Sequence, residues 1–142
     1  DVNRDVKKIP QNDFDFIIID TPPYIFEEIN ALVKMADLVV IPTQASINDL
    51  LAIDKTVQII KENEAIDRSI IVFNRIKSNS SLKDKLNANF LELEVPIANT
   101  IINDYDAITN SIITKGVESR HKASAQLQNL TTELMTKLLS NG

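Results

Sequence analysis

Three short apolar runs, each closed abruptly by a polar residue or a proline, constrain this chain more than any other feature. Phe14 to Ile19 ends at Asp20-Thr21-Pro22-Pro23, Leu38 to Ile41 ends at Pro42, and Ser69 to Phe73 ends at Asn74-Arg75. Their apolarity is continuous rather than alternating, the pattern of a parallel strand covered on both faces. Between them the period changes. Ile25 to Ala36 carries apolar residues at Ile25, Ile29, Leu32, Val33 and Ala36, and Asp49 to Asn63 carries Leu50, Ile53, Val57 and Ile60, each set falling on one face of a helix. The pattern continues with a helix from about Leu82 to Phe90 (Leu82, Leu86, Phe90) and a fourth strand over about Ala98 to Ile102. An irregular or helical stretch from Tyr105 to Thr114, a break at Gly116 and a closing amphipathic helix from about Ala123 to Leu139 complete the order. Strands alternating with helices at this spacing predict one α/β domain over residues 1–142, its mostly parallel sheet flanked by helices.

Composition removes several function classes. Hydrophobic residues make up 44% and charged residues 25%, an ordinary globular balance. A net charge of −5 argues against a broadly basic nucleic-acid surface, which needs clustered Lys and Arg. Without a cysteine there is no disulfide, zinc–thiolate or iron–sulfur chemistry, and a cytoplasmic protein is expected. The apolar runs are too short to cross a bilayer, so no membrane partner is expected. His121 is the single histidine; it completes no paired metal site or hydrolase triad and reads as a surface residue near a helix start. Glu27 and Glu28 read as first-turn charges that complement a helix dipole.

In open parallel sheets, ligands bind beyond the carboxyl ends of the strands. That rule selects Asp20 to Pro23, Pro42 to Ser46 and Asn74 to Lys77. A carboxylate carried there by a rigid strand suits a nucleotide-bound Mg²⁺. An Asp after a strand is also a common turn former, so Asp20 alone decides little.

The longer strings are more specific. Asp15-Phe16-Ile17-Ile18-Ile19-Asp20-Thr21-Pro22-Pro23 resembles the Walker B and switch II segment of the ParA/MinD ATPases. Ala36-Asp37-Leu38-Val39-Val40-Ile41-Pro42-Thr43-Gln44 resembles the strand and loop that follow it there. The likeness runs from Asp13 to the final helix and is greatest to the small plasmid-partition proteins. It implies a P-loop NTPase fold, Rossmann-like and three-layered, with ATP or ADP and Mg²⁺ as cofactors. Asp20 would be the catalytic and metal-positioning residue, acting through water, with Thr21 and Pro22 in the switch beside the nucleotide. Asn74 and Arg75 would face the base. The place where guanine-specific relatives carry a carboxylate is Lys77, which favours adenine. Family members usually have a proline just after the fourth strand, where this chain has Ile102-Asn103-Asp104.

The resemblance further implies a homodimer, a ParB-like centromere-binding partner or small adaptor that triggers hydrolysis, and nonspecific DNA binding at the nucleoid. Arg75, Lys77, Arg120 and Lys122 are the candidate DNA contacts, with Arg68, His121, Lys83 and Lys85 as further ones. The only glycines are Gly116 and Gly142, so the Gly-rich phosphate loop and the N-terminal strands that carry it are expected upstream. The 142 residues alone are expected neither to bind ATP tightly nor to hydrolyse it. Two alternatives are a nucleotide-free α/β regulatory or binding module, and a MinD-like division-site or polysaccharide-assembly ATPase.

Overall fold

The computed structural model describes residues 8, 13–22, 27–44, 47–77, 93–110, 116–118 and 121–140. Within them the order is α1 (Ile29–Met35), β1 (Val39–Thr43), α2 (Ile47–Glu62), β2 (Ser69–Phe73), α3 (Asp106–Thr109) and α4 (Lys122–Ser140). The expected helix over Leu82 to Phe90 lies outside the described residues.

β1 and β2 pair in parallel, in register from Val39 opposite Ser69 to Thr43 opposite Phe73, with α2 as the crossover. Val39 N–H donates to Arg68 O and Asn74 N–H to Thr43 O, both at 2.8 Å. Residues 39, 41 and 43 therefore direct their backbone groups toward β2. Pro42 points the other way and removes no ladder bond, which is why the strand runs through a proline expected to stop it.

On its far side β2 meets a third extended segment, also parallel, through bridges from Ile71 to Ile97 and from Ile76 to Asn103. This is the expected fourth strand in broken form. Ile102 N–H reaches Phe73 O, while Ala98 N–H reaches Ile71 O, so residues 99–101 bulge out of the ladder between those two bonds. Arg75 compensates on the β2 side with φ of 56°, a left-handed conformation that lets Ile76 rejoin the third segment.

Every residue of β2 is buried, because each face of the sheet has its own cover. Ile71 and Phe73 pack with Ile41 of β1, Val33 of α1 and Ile53, Val57 and Ile60 of α2. Ile70 and Val72 pack with Ala98, Leu38 and, from α4, Leu130 and Leu134. Helices on both faces of a parallel pair make the described part a mixed α/β fold. α2 ends as its sequence requires: Asn63 Nδ2 donates to Ile59 O at 2.7 Å, and Glu64 turns left-handed at φ 52°. Ala65 N–H then returns to Ile60 O at 2.9 Å, satisfying a last-turn carbonyl. Among the described residues no helix is long and apolar enough to cross a membrane.

One expectation fails. Phe16 to Ile19 is not a buried strand: it pairs with nothing in the sheet, and Ile18 is 93% and Phe16 55% exposed. A strand exists only through hydrogen bonds to a neighbour, and among the described residues none lies beside this run.

Ile71 is fully buried at the centre of the sheet. Ile71→Ala is expected to lower unfolding stability by about 2–5 kcal/mol, read from the urea midpoint at unchanged slope.

Candidate functional site

At the carboxyl rim, β2 and the third segment diverge around a small cleft of about 80 Å³. Asn74 and Arg75 line it from the end of β2, Asn103, Asp104 and Tyr105 from the end of the third segment, and Ile108 and Thr109 from α3. This is room for the edge of a flat ring rather than for a whole ligand.

The β2 ladder sets Asn74, whose N–H is the last donor to β1. Among the described residues no group hydrogen-bonds its side-chain amide, which can both donate and accept. The left-handed turn at Arg75 swings its side chain toward Asp104, and Arg75 Nε lies 3.3 Å from Asp104 Oδ1. With Arg75 62% exposed the pair adds about 0–1 kcal/mol to stability; its effect is to orient a carboxylate and a guanidinium at the mouth.

Asn103 is held on every polar atom of its side chain. Its backbone N–H donates to Gln126 Oε1 at 3.0 Å, its Oδ1 accepts from Gln126 Nε2 at 2.5 Å, and its Nδ2 donates to Ile76 O at 2.9 Å. Tyr105 meets the His121 ring edge-on, with centroids 5.3 Å apart and planes at 88°. His121 Nδ1 in turn accepts from Ala123 N–H at 3.1 Å, capping the start of α4. Farther along α4, Glu133 takes the N–H groups of Asn99 and Thr100 at 2.6 and 2.9 Å and Asn99 Nδ2 at 3.1 Å. It thereby satisfies the Thr100 donor that the bulge takes out of the ladder and the Asn99 donor that faces away from β2. Partial burial raises the Glu133 pKa, but the donors of Asn99 and Thr100 outweigh it and hold the carboxyl below its ordinary value.

Other predicted residues are not part of this cleft. Asp20, Thr21 and Pro22 are exposed and do not line it. Lys77 and Lys122 are exposed near the rim segment and the start of α4; Arg120, Lys83 and Lys85 lie outside the described residues. Arg68 is partly engaged with the fold: its Nη2 donates to Val33 O at 3.3 Å, and its Nε is buried. Among the described residues no three His, Asp or Glu side chains gather to hold a metal ion.

A wider depression of about 500 Å³ follows Glu94 to Asn99, but its polar side chains are already engaged. Glu94 pairs with Lys61 at 3.1 Å, and Asn99 is bound to Glu133. The rim cleft, with an uncommitted amide, is the better site.

Sequence reasoning found Asn74 and Arg75 and passed over Asn103, Asp104 and Tyr105. The signal was present, since these three end the fourth apolar run just as Asn74 ends the third. No protein-family model and no curated protein matches the chain.

Because folding lowers the Glu133 pKa, its contribution is present above the unfolded carboxyl value and is lost as pH falls through the folded one. Glu133→Gln is expected to cost about 1 kcal/mol at pH 7 and to flatten the stability profile between roughly pH 5 and the acid limit. Thermal melts of both proteins across that window test this; parallel profiles would rule it out.

Proposed function

We propose that the rim cleft is the base-binding wall of a ParA/MinD-type ATPase, and that this ATPase serves plasmid or chromosome partition. The reading is supported chiefly by one observation: two parallel strand ends place an uncommitted amide, Asn74, opposite a rim carboxylate, Asp104. Adenine presents an amino donor beside ring acceptors, which an amide can meet with both its functions. A carboxylate adds a second acceptor for the amino group, and the Arg75 guanidinium can lie against the ring face.

The described residues do not fit a bound Mg²⁺ or triphosphate by themselves. Asp20 supplies one exposed carboxylate, and no glycine before Gly116 allows a phosphate-cradling loop. The role left to Asp20 is the one its resemblance implies, a water-mediated contact to an ion held by the phosphates. Dimer formation, DNA contacts at Arg75, Lys77 and Lys122, and a ParB-like partner belong to the same proposal.

A second reading, a nucleotide-free α/β binding module, draws on the exposed run of Phe14, Phe16 and Ile18, since contiguous apolar surface marks an interaction site.

The two separate in solution. Adenosine titrated into the 142-residue chain is expected to shift the backbone resonances of Asn74, Arg75 and Asp104 more than guanosine does. Asn74→Ala should weaken binding about tenfold, the equivalent of one lost hydrogen-bonding group, whereas Asp20→Ala should leave it unchanged. ATP is expected to bind no more tightly than adenosine. Undisturbed cleft resonances at millimolar adenosine would exclude the base-binding reading. In the complete ATPase, Asp20→Ala should abolish ATP-dependent dimerisation, measured by light scattering, without loss of fold.

A further inference from the structure

The cleft wall is not held by the sheet alone. The two residues that flank Asp104 are both fixed from the start of α4, one by Gln126 and one by His121. Ala123, between them in sequence, is fully buried, so this end of the helix is seated against the fold. We infer that Gln126 and His121 are positioning residues for the cleft, and that α4 docking and cleft occupancy are thereby coupled. This rests on the base-binding reading of the cleft.

The chemistry favours a switchable contact over passive packing. A single primary amide, Gln126, meets Asn103 with donor and acceptor at once, so the wall is held in one rotational setting. His121 caps α4 through Nδ1 while its ring meets Tyr105 edge-on, so one side chain ties the helix start to the wall. Lifting the first turn of α4 releases Asn103 and Tyr105 together, and with them the Asp104 carboxylate that Arg75 orients. By linkage, a ligand that needs the wall in place must tighten α4 docking by the same factor as docking tightens the ligand.

Gln126→Met keeps the side-chain length and removes both hydrogen bonds. Gln126→Glu restores the acceptor for Asn103 N–H but not the donor, and His121→Phe keeps the edge contact while losing the cap. If α4 docking falls so that about a tenth of molecules hold the wall, adenosine affinity drops about tenfold. The expected order is wild type, then Gln126→Glu, then Gln126→Met, with His121→Phe also weakened. Saturating adenosine should slow amide exchange over residues 123–130 in wild type and not in Gln126→Met.

Three results overturn the inference. Equal adenosine affinity in wild type and Gln126→Met removes the coupling and leaves the cleft reading standing. Unchanged resonances of Arg75 and Asp104 in ligand-free Gln126→Met remove the positioning role whatever binds. Absence of any adenosine response in wild type removes both. Should Gln126→Met fail to fold, the same comparisons are made with Gln126→Glu and His121→Phe.

Discussion

The structure depends on β2 being paired on both edges and covered on both faces. Five consecutive buried residues, Ser69 to Phe73, form the strip against which β1, the third segment, α1, α2 and α4 are all placed. Even its polar member is accommodated, since Ser69 Oγ donates to Ala65 O at 2.6 Å, which satisfies the buried hydroxyl. The strand's direction then decides the chemistry. A parallel strip has one carboxyl rim, so the first residues after it, Asn74 and Arg75, emerge beside those that follow its neighbour.

Apolar contact alone does not explain how α4 finds its place. Leu130 and Leu134 meet the sheet, yet α4 is amphipathic along its length and most of its apolar residues are only partly buried. Hydrophobic contact is non-directional and tolerates sliding. The polar contacts do not: Gln126 to Asn103 and Glu133 to Asn99 and Thr100 accept one register, with Lys137 Nζ on Asp67 O at 2.7 Å as a third fixed point. The bulge at residues 99–101 is what makes such a lock available. A regular ladder would have turned the Thr100 N–H toward β2 after that of Ala98, so the irregular strand frees one of the two donors that Glu133 takes and helps fix the helix register.

Much of the fold was legible in local pattern. β2 has the bounds its apolar run implied, α2 and α4 follow their helical spacing to within two residues, and both faces of the sheet are covered as continuous apolarity required. What escaped was non-local. Pro42 was read as a stop because sequence shows the missing donor but not which edge it faces. The fourth strand was read as regular because neither the bulge nor the left-handed turn at Arg75 leaves a mark such as glycine. Half of the site followed from the strand-end rule, through Asn74 and Arg75. The other half, Asn103 to Tyr105, is selected by the same rule, but Asn103 and Asp104 stand where the resemblance leads one to expect a proline.

The run from Phe14 to Ile19 shows the limit of local reasoning most sharply. Its β-branched composition fits an extended chain, but extension without a partner leaves backbone groups to water and apolar side chains exposed. A fully buried side chain of this size contributes roughly 1.5–3 kcal/mol, so this segment withholds several kcal/mol that a covered strand would supply. Among the described residues, no strand pairs with the outer edge of β1. There the N–H and C=O of Val40 point away from β2, and Val40 is 40% exposed. The direction of any partner at that edge fixes the consequence. A strand added in parallel would carry its C-terminal residue to the rim shared by Gln44 and Asn74, so the carboxylate closing such a strand would stand beside the cleft. The role proposed for Asp20 therefore depends on strand pairing at this edge, whereas Asn74 is already fixed by β2.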